Sequence, residues 1–178
     1  MTSSPRVLAT RAPPKTGTCK ILDEEERRRV YGNFLRQHGD DIPEETIVKM
    51  VAGDNINRWA TICDERGDLL AVGHFELMDW YSCAIKGLAV KPEARGFGLG
   101  TEIASRSVAL AQDARSAYGP RCLVLAADVT VDNFPSIRAL QRSGFAVADA
   151  FCWSKGEKPA NILHMVRFKP EDRNCEGP

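Results

Sequence analysis

The sequence has no surplus of either charge: 24 lysines and arginines stand against 24 aspartates and glutamates. That balance excludes a protein that coats nucleic acid, whose affinity comes from an excess of cations over phosphates. No apolar run approaches the roughly 18 residues that cross a bilayer, and no membrane partner is expected. The longest clean run, Cys122 to Ala127, has the size of one strand. The six cysteines include no Cys-x-x-Cys pair, and His38, His74 and His164 stand in no metal-ligand spacing, so no metal site is expected. Cys63, Cys83, Cys122 and Cys152 lie in apolar stretches and read as small buried hydrophobes in a reducing compartment.

No acidic residue precedes Asp23, and no apolar secretory core opens the chain. The basic start (Arg6, Arg11, Lys15, Lys20) resembles a mitochondrial leader, but Pro13-Pro14 interrupts the helix such a leader needs. The expectation is a mobile N-terminal tail over 1–22, with a short strand near Arg6–Thr10, and a cytoplasmic location, mitochondrial being the alternative. What remains, 23–170, is expected to be a single domain, with 171–178 as a frayed end. At 43% hydrophobic and 27% charged residues the chain has the composition to build a core.

Elements alternate along the chain, as in an α/β (α+β) protein. Asp23 with Glu26 reads as a helix start, the helix running to Gln37 with Val30, Phe34 and Leu35 apolar. A second helix covers Pro43–Ala52. Three strands follow, Arg58–Cys63, Leu69–Met78 and Cys83–Val90, joined by turns short enough to require antiparallel neighbours. A helix from Gly98 to Tyr118, with Ile103, Leu110, Ala111, Ala114 and Ala117 on one side, leads to a buried strand, Arg121–Ala127. The helix Asn133–Arg142 closes on Gly144. Phe145–Ser154 and Asn161–Phe168 are the last strands.

The chemistry is concentrated between Leu88 and Thr101, in LAVKPEARGFGLGT. A strand runs into a loop with glycines at 96, 98 and 100, and a long helix follows. Backbone without Cβ atoms comes close to a ligand, and a helix N-terminus offers unpaired N–H groups and a positive dipole end. Arg95 adds a cation suited to two-bond phosphate binding. The nucleotide-binding alternatives fail: no lysine follows the glycines, and the spacing is not that of a dinucleotide fingerprint.

Arg95-x-x-Gly98-x-Gly100 after Leu88-Ala89-Val90 resembles the acyl-CoA pyrophosphate loop of the GNAT N-acyltransferase superfamily. Val129-x-x-x-Asn133-x-x-Ser136-x-x-Ala139-Leu140-x-x-x-Gly144-Phe145 resembles that family's next strand–helix unit. The resemblance spans Arg58 to Phe168. It implies a GNAT-like mixed, mostly antiparallel sheet of six to seven strands flanked by about four helices. It implies acetyl-CoA as cosubstrate and a primary amine as acceptor, small molecule or protein. Backbone of Leu88, Ala89 and Val90 would hold the pantetheine arm. The amides of Gly96, Phe97, Gly98 and Gly100, with Thr101 opening the helix, would cradle the pyrophosphate. Asn133 would bond the pantetheine amides, and Arg142 is a candidate for the nucleotide phosphate.

The resemblance breaks at the proton-transfer groups. The family's usual tyrosine acid corresponds to Leu140; Tyr31 and Tyr81 are the substitutes to weigh. The strand positions that carry a base in several branches hold Ala84 and Lys86. A three-residue hairpin turn would set Glu76 opposite Ala84 and His74 opposite Lys86, whereas a two-residue turn would move both to the other face. Glu76 and Asp128, the latter expected at the end of its strand, are the candidate catalytic groups. The expected activity is direct acetyl transfer in a ternary complex, by a monomer or homodimer. Its acceptor site would lie among the N-terminal helices, the turn Met78–Ser82 and the loop Lys155–Ala160. A non-catalytic acyl-CoA-binding module on the same fold is the alternative.

Overall fold

Short polar turns and local caps set where each element begins and ends. The computed structural model describes residues 12–19, 22–39, 42–52, 59–78, 82–116, 124–154 and 159–168. The elements are β1 (Thr16–Gly17), α1 (Glu24–His38), α2 (Glu44–Ala52), β2 (Trp59–Asp64), β3 (Leu69–Leu77), β4 (Ser82–Val90), α3 (Leu99–Ser116), β5 (Val124–Thr130), α4 (Phe134–Arg142), β6 (Ala146–Ser154) and β7 (Pro159–Phe168). A 3-10 turn, Pro92–Ala94, joins β4 to the loop before α3.

The caps follow from side-chain chemistry. Asp23 accepts from the Glu26 N–H at 2.8 Å and starts α1. Asp64 accepts from the N–H groups of Arg66 and Asp68, both at 2.9 Å, and shapes the β2–β3 turn. Those bonds, the one from Asp68 foremost, hold the Asp64 carboxyl below its ordinary value. α4 closes with Phe145 N–H on the Leu140 carbonyl and Gly144 N–H on that of Gln141, the paired bonds of a Schellman end.

The strands form one sheet in the order β1-β2-β3-β4-β5-β7-β6. Every neighbouring pair is antiparallel except β4 with β5, which is parallel. This is the mixed sheet with four helices that the sequence led us to expect. Helices cover both faces. On one side Phe75, Cys83, Ile85, Leu125 and Ala127 pack with Ala104, Val108 and Ala111 of α3 and Leu140 of α4. On the other, Val72 and Ala89 pack beneath Tyr31, Phe34 and Leu35 of α1 and Ile47 and Met50 of α2.

Several expectations are corrected. Within 1–22, Thr16 and Gly17 pair with Asp64 and Cys63 as an added edge strand, whereas Arg6–Thr10 lies outside the described residues. Cys63 is buried, but as one half of a disulfide with Cys19, not as a plain thiol. Cys152 is exposed. Asp128 lies inside β5 rather than at its end, because Asp128, Val129 and Thr130 continue the ladder to His164, Leu163 and Ile162. The buried stripe of α3 runs through Leu99, Ile103, Ala104, Ser107, Val108 and Ala111, which leaves Leu110 outward. Ala117 lies outside the described residues.

α3 comes close to the sheet at one point. A Cβ on Gly73 of β3 would stand 2.4 Å from Ser107 Oγ and 3.1 Å from Ile103 Cγ1. Ser107 is fully buried and its hydroxyl donates to the Ile103 carbonyl at 2.9 Å, so it has no room to retreat. Gly73→Ala is therefore expected to cost about 1–3 kcal/mol through overpacking. Adding Ser107→Ala, which removes the obstructing oxygen, recovers part of that loss. Urea unfolding of the two single variants and the double variant reads the coupling.

Candidate active site

The site begins with one extra residue. In the β3–β4 ladder Phe75 pairs with Ile85, but the next step pairs His74 with Gly87, leaving Lys86 as a bulge. The expected register held as far as Glu76 opposite Ala84; the bulge displaced the expected pairing of His74 with Lys86. A bulge bends its strand, increases its twist and shifts the alternation of side chains. Before it, Cys83 and Ile85 face α3 and α4. After it, Gly87 and Ala89 face α1 and α2.

The parallel pairing to β5 stops at the same place. It covers Ser82 to Ile85 against Val124 to Ala127. Beyond this, Lys86–Val90 of β4 and Asp128–Thr130 of β5 have no ladder to each other. The sheet parts there, and backbone N–H and C=O groups line both walls of the opening.

β4 leads from the opening into the glycine loop. Gly96 and Gly98 have φ of +88° and +85°, and neither would meet an atom within 4 Å of an added Cβ. Glycine is required there by backbone conformation, while the space beside it stays open. Among the described residues, no backbone carbonyl accepts from the N–H groups of Gly96, Phe97, Gly98, Leu99 or Gly100. They lie at the N-terminus of an 18-residue helix, where donors and dipole favour an anion. The helix, expected to open at Thr101, opens at Leu99, and the Thr101 N–H donates to the Gly98 carbonyl at 3.0 Å.

Arg95 has a second task. Its Nε donates to the Val90 carbonyl at 3.0 Å and its Nη2 to the His38 carbonyl at 3.1 Å. The guanidinium thus clamps the end of α1 to the end of β4, and it occupies one acceptor of the Leu88–Val90 stretch. Asn133 caps α4, its side-chain oxygen accepting from the Ser136 N–H at 3.1 Å. Arg142 is exposed at the far end of α4. Leu140 is 1% exposed within the core, so the position of the family's usual tyrosine faces packed side chains.

The face toward α1 and α2 carries the titratable groups. Glu76 and Lys86 form an ion pair at 3.8 Å. Across the opening, Asp128 Oδ1 lies 2.7 Å from His164 Nδ1. Tyr31 is buried against Trp59, with ring centres 5.3 Å apart. Burial raises its phenol above the ordinary value, against the opposing effects of Arg27 and Thr61. Tyr81 and residues 155–158 lie outside the described residues. His164 was missed in the sequence because its partner is 36 positions away and only the β5–β7 register brings them together.

The GNAT acetyltransferase family model matches residues 21–145. The chain belongs to that family and is an acetyltransferase by class. Similar solved structures include the spermidine/spermine N-acetyltransferase SpeG from Vibrio cholerae, at 14% identity and TM-score 0.61, covering 87% of this chain and 95% of that one. The ribosomal-protein-S18-alanine N-acetyltransferase from Escherichia coli matches at 16% identity and TM-score 0.56, covering 85% and 92%. The protein yncA from Salmonella typhimurium, solved with its cofactor acetyl-CoA, matches at 17% and 0.58, covering 84% and 91%. These likenesses concern the fold. No curated protein matches the sequence.

The glycine loop makes a separable prediction. Gly96→Ala and Gly98→Ala are each expected to cost about 1–2 kcal/mol, because both place a Cβ at positive φ. Gly100→Ala is expected to be close to neutral in the free protein, since its Cβ would meet Ala139 Cβ at an ordinary 3.6 Å. Denaturant unfolding without ligand distinguishes the two cases.

Proposed function

We propose that the protein transfers an acetyl group from acetyl-CoA to a primary amine by direct attack within a ternary complex. The observation that carries this reading is the parting of β4 from β5 in line with the unengaged amides of Gly96 to Gly100. That arrangement fits an extended amide-bearing arm that ends in a pyrophosphate. Acetyl-CoA supplies the activated acyl group. The chain supplies strand edges for the pantetheine amides, loop N–H groups for the pyrophosphate, and a helix N-terminus for its charge.

At the reacting end, N–H groups on the open edge of β4 are suited to receive the oxyanion of the tetrahedral intermediate. No acid is required at Leu140, because a thiol near pKa 8.5 leaves as thiolate without much assistance. Asp128 borders the opening, and Glu76 stands one strand back in β3, opposite Ala84. Glu76 is paired with the Lys86 ammonium, so its charge is already partly balanced before a cationic acceptor arrives. Arg95 acts in this reading as the clamp that keeps α1 against the loop, and its contact with phosphate becomes secondary. Asn133 acts chiefly as the cap of α4.

Calorimetric titration of acetyl-CoA into ligand-free protein tests the cosubstrate half. Micromolar affinity is expected, and Gly98→Ala is expected to weaken it at least tenfold, the equivalent of about 1.4 kcal/mol. Initial rates with spermidine, with an alanyl-terminated peptide and with phosphinothricin, varied against acetyl-CoA, test the other half. Intersecting double-reciprocal lines support direct attack. Parallel lines would point to an acetylated enzyme, and absence of acetyl-CoA binding by folded protein would defeat the reading.

A further inference from the structure

Three strands build a charged row that no stretch of sequence displays. Asp128 of β5 and Asp149 of β6 are the register partners of His164, one on each side of it in β7. Leu125, Ala127 and Val129 of β5 point into the α3–α4 core, so Asp128 and its partner His164 stand on the opposite face, where the acceptor would approach. Ala127 is the last β5 residue paired to β4, so Asp128 borders the opening and His164 lies one strand further.

The two aspartates differ in what they bind. Asp149 turns back on its own chain, its Oδ1 accepting from the Ala150 N–H at 2.7 Å. Asp128 Oδ1 meets His164 Nδ1, also at 2.7 Å. An ionised carboxylate only accepts, so in the neutral imidazole this bond puts the proton on Nδ1 and leaves Nε2 with its lone pair. The His164 side chain is 36% exposed, so the ring is open to solvent on part of its surface.

The other groups on this face are less suited to take a proton. Glu76 is paired with the Lys86 ammonium. His74 is 4% exposed, with its ring 4.5 Å from that of Trp59. A histidine titrates in the range where a general base works best at neutral pH, and an unassisted carboxylate does not.

We propose that His164 is the general base of acetyl transfer and that Asp128 is its positioning residue. The proposal rests on the acetyl-transfer reading above. His164 Nε2 takes one proton from the acceptor ammonium. The neutral amine nitrogen bonds to the thioester carbonyl carbon, and the carbon–sulfur bond breaks with its electron pair going to sulfur. The thiolate takes the remaining surplus proton of the new amide nitrogen, and the imidazolium releases its own to water.

Two measurements test this. In the free protein, nitrogen-15 spectra assign the His164 tautomer, the signals being identified by their loss in His164→Gln. The protonated nitrogen is expected to be Nδ1, and Asp128→Ala is expected to abolish that preference. With the fastest amine of the panel above, His164→Gln is expected to lower kcat/KM about 100-fold, the ordinary worth of a general base. It should also remove the acid limb of the pH profile while acetyl-CoA affinity is kept. Added imidazole is expected to restore part of the activity of His164→Ala.

Full activity with an unchanged acid limb in His164→Gln, or a proton on Nε2 in the wild type, would overturn the assignment and leave acetyl transfer standing. Loss of acetyl-CoA affinity in both His164→Gln and His164→Ala would make His164 a folding residue and overturn it too. A wild-type protein that binds acetyl-CoA and acetylates no amine would overturn the reading and the assignment together.

Discussion

The molecule depends on where β4 stops holding β5. Four parallel pairs join the strands, one bulged residue follows, and the ladder ends. A sheet normally spends its backbone hydrogen bonds on itself, because an unpaired buried amide is costly. Here a row of them is withheld at the centre of the sheet, where a ligand can use it. The bulge also turns Gly87 and Ala89 toward α1 and α2, so the same residue that opens the sheet sets which face those helices cover.

The rest of the site is arranged around that opening. The glycine loop sits at its head because β4 runs straight into it through the turn at Pro92. The Arg95 clamp joins the glycine loop to the end of α1, so the loop at the head of the opening and the helices on that face of the sheet share one guanidinium. Replacing the family's tyrosine with leucine makes position 140 part of the hydrophobic core. The polar groups that remain near the opening lie on the other side of the sheet, in β3, β4, β5 and β7.

Much of this was legible in the sequence because it rests on local rules. The cap at Asp23, the helix start at Asn133, the turn at Asp64 and the end at Gly144 are all set by residues within five positions of each other, and the element boundaries follow them closely. The Arg95–Gly100 loop was legible for the same reason. The Lys86 bulge was not, because a bulge is a relation between two strands and β4 alone alternates without interruption. The Asp128–His164 contact is a relation between strands far apart in the chain. β1 and the Cys19–Cys63 bond escaped because Thr16-Gly17 is too short to show a period, and Cys63 looks like any buried apolar residue. Leu110 misled the reading of α3 because its hydrophobicity suggests burial that its angular position does not allow.

The Cys19–Cys63 bond has a consequence for how the chain is connected. It joins positions 44 residues apart, and α1 and α2 both lie between them. The two helices that roof one face of the sheet therefore belong to a closed covalent ring. A single protease cut inside that ring would divide the sequence but not the molecule. The pieces would migrate as one band until a reductant separated them, so the bond can be counted on a gel.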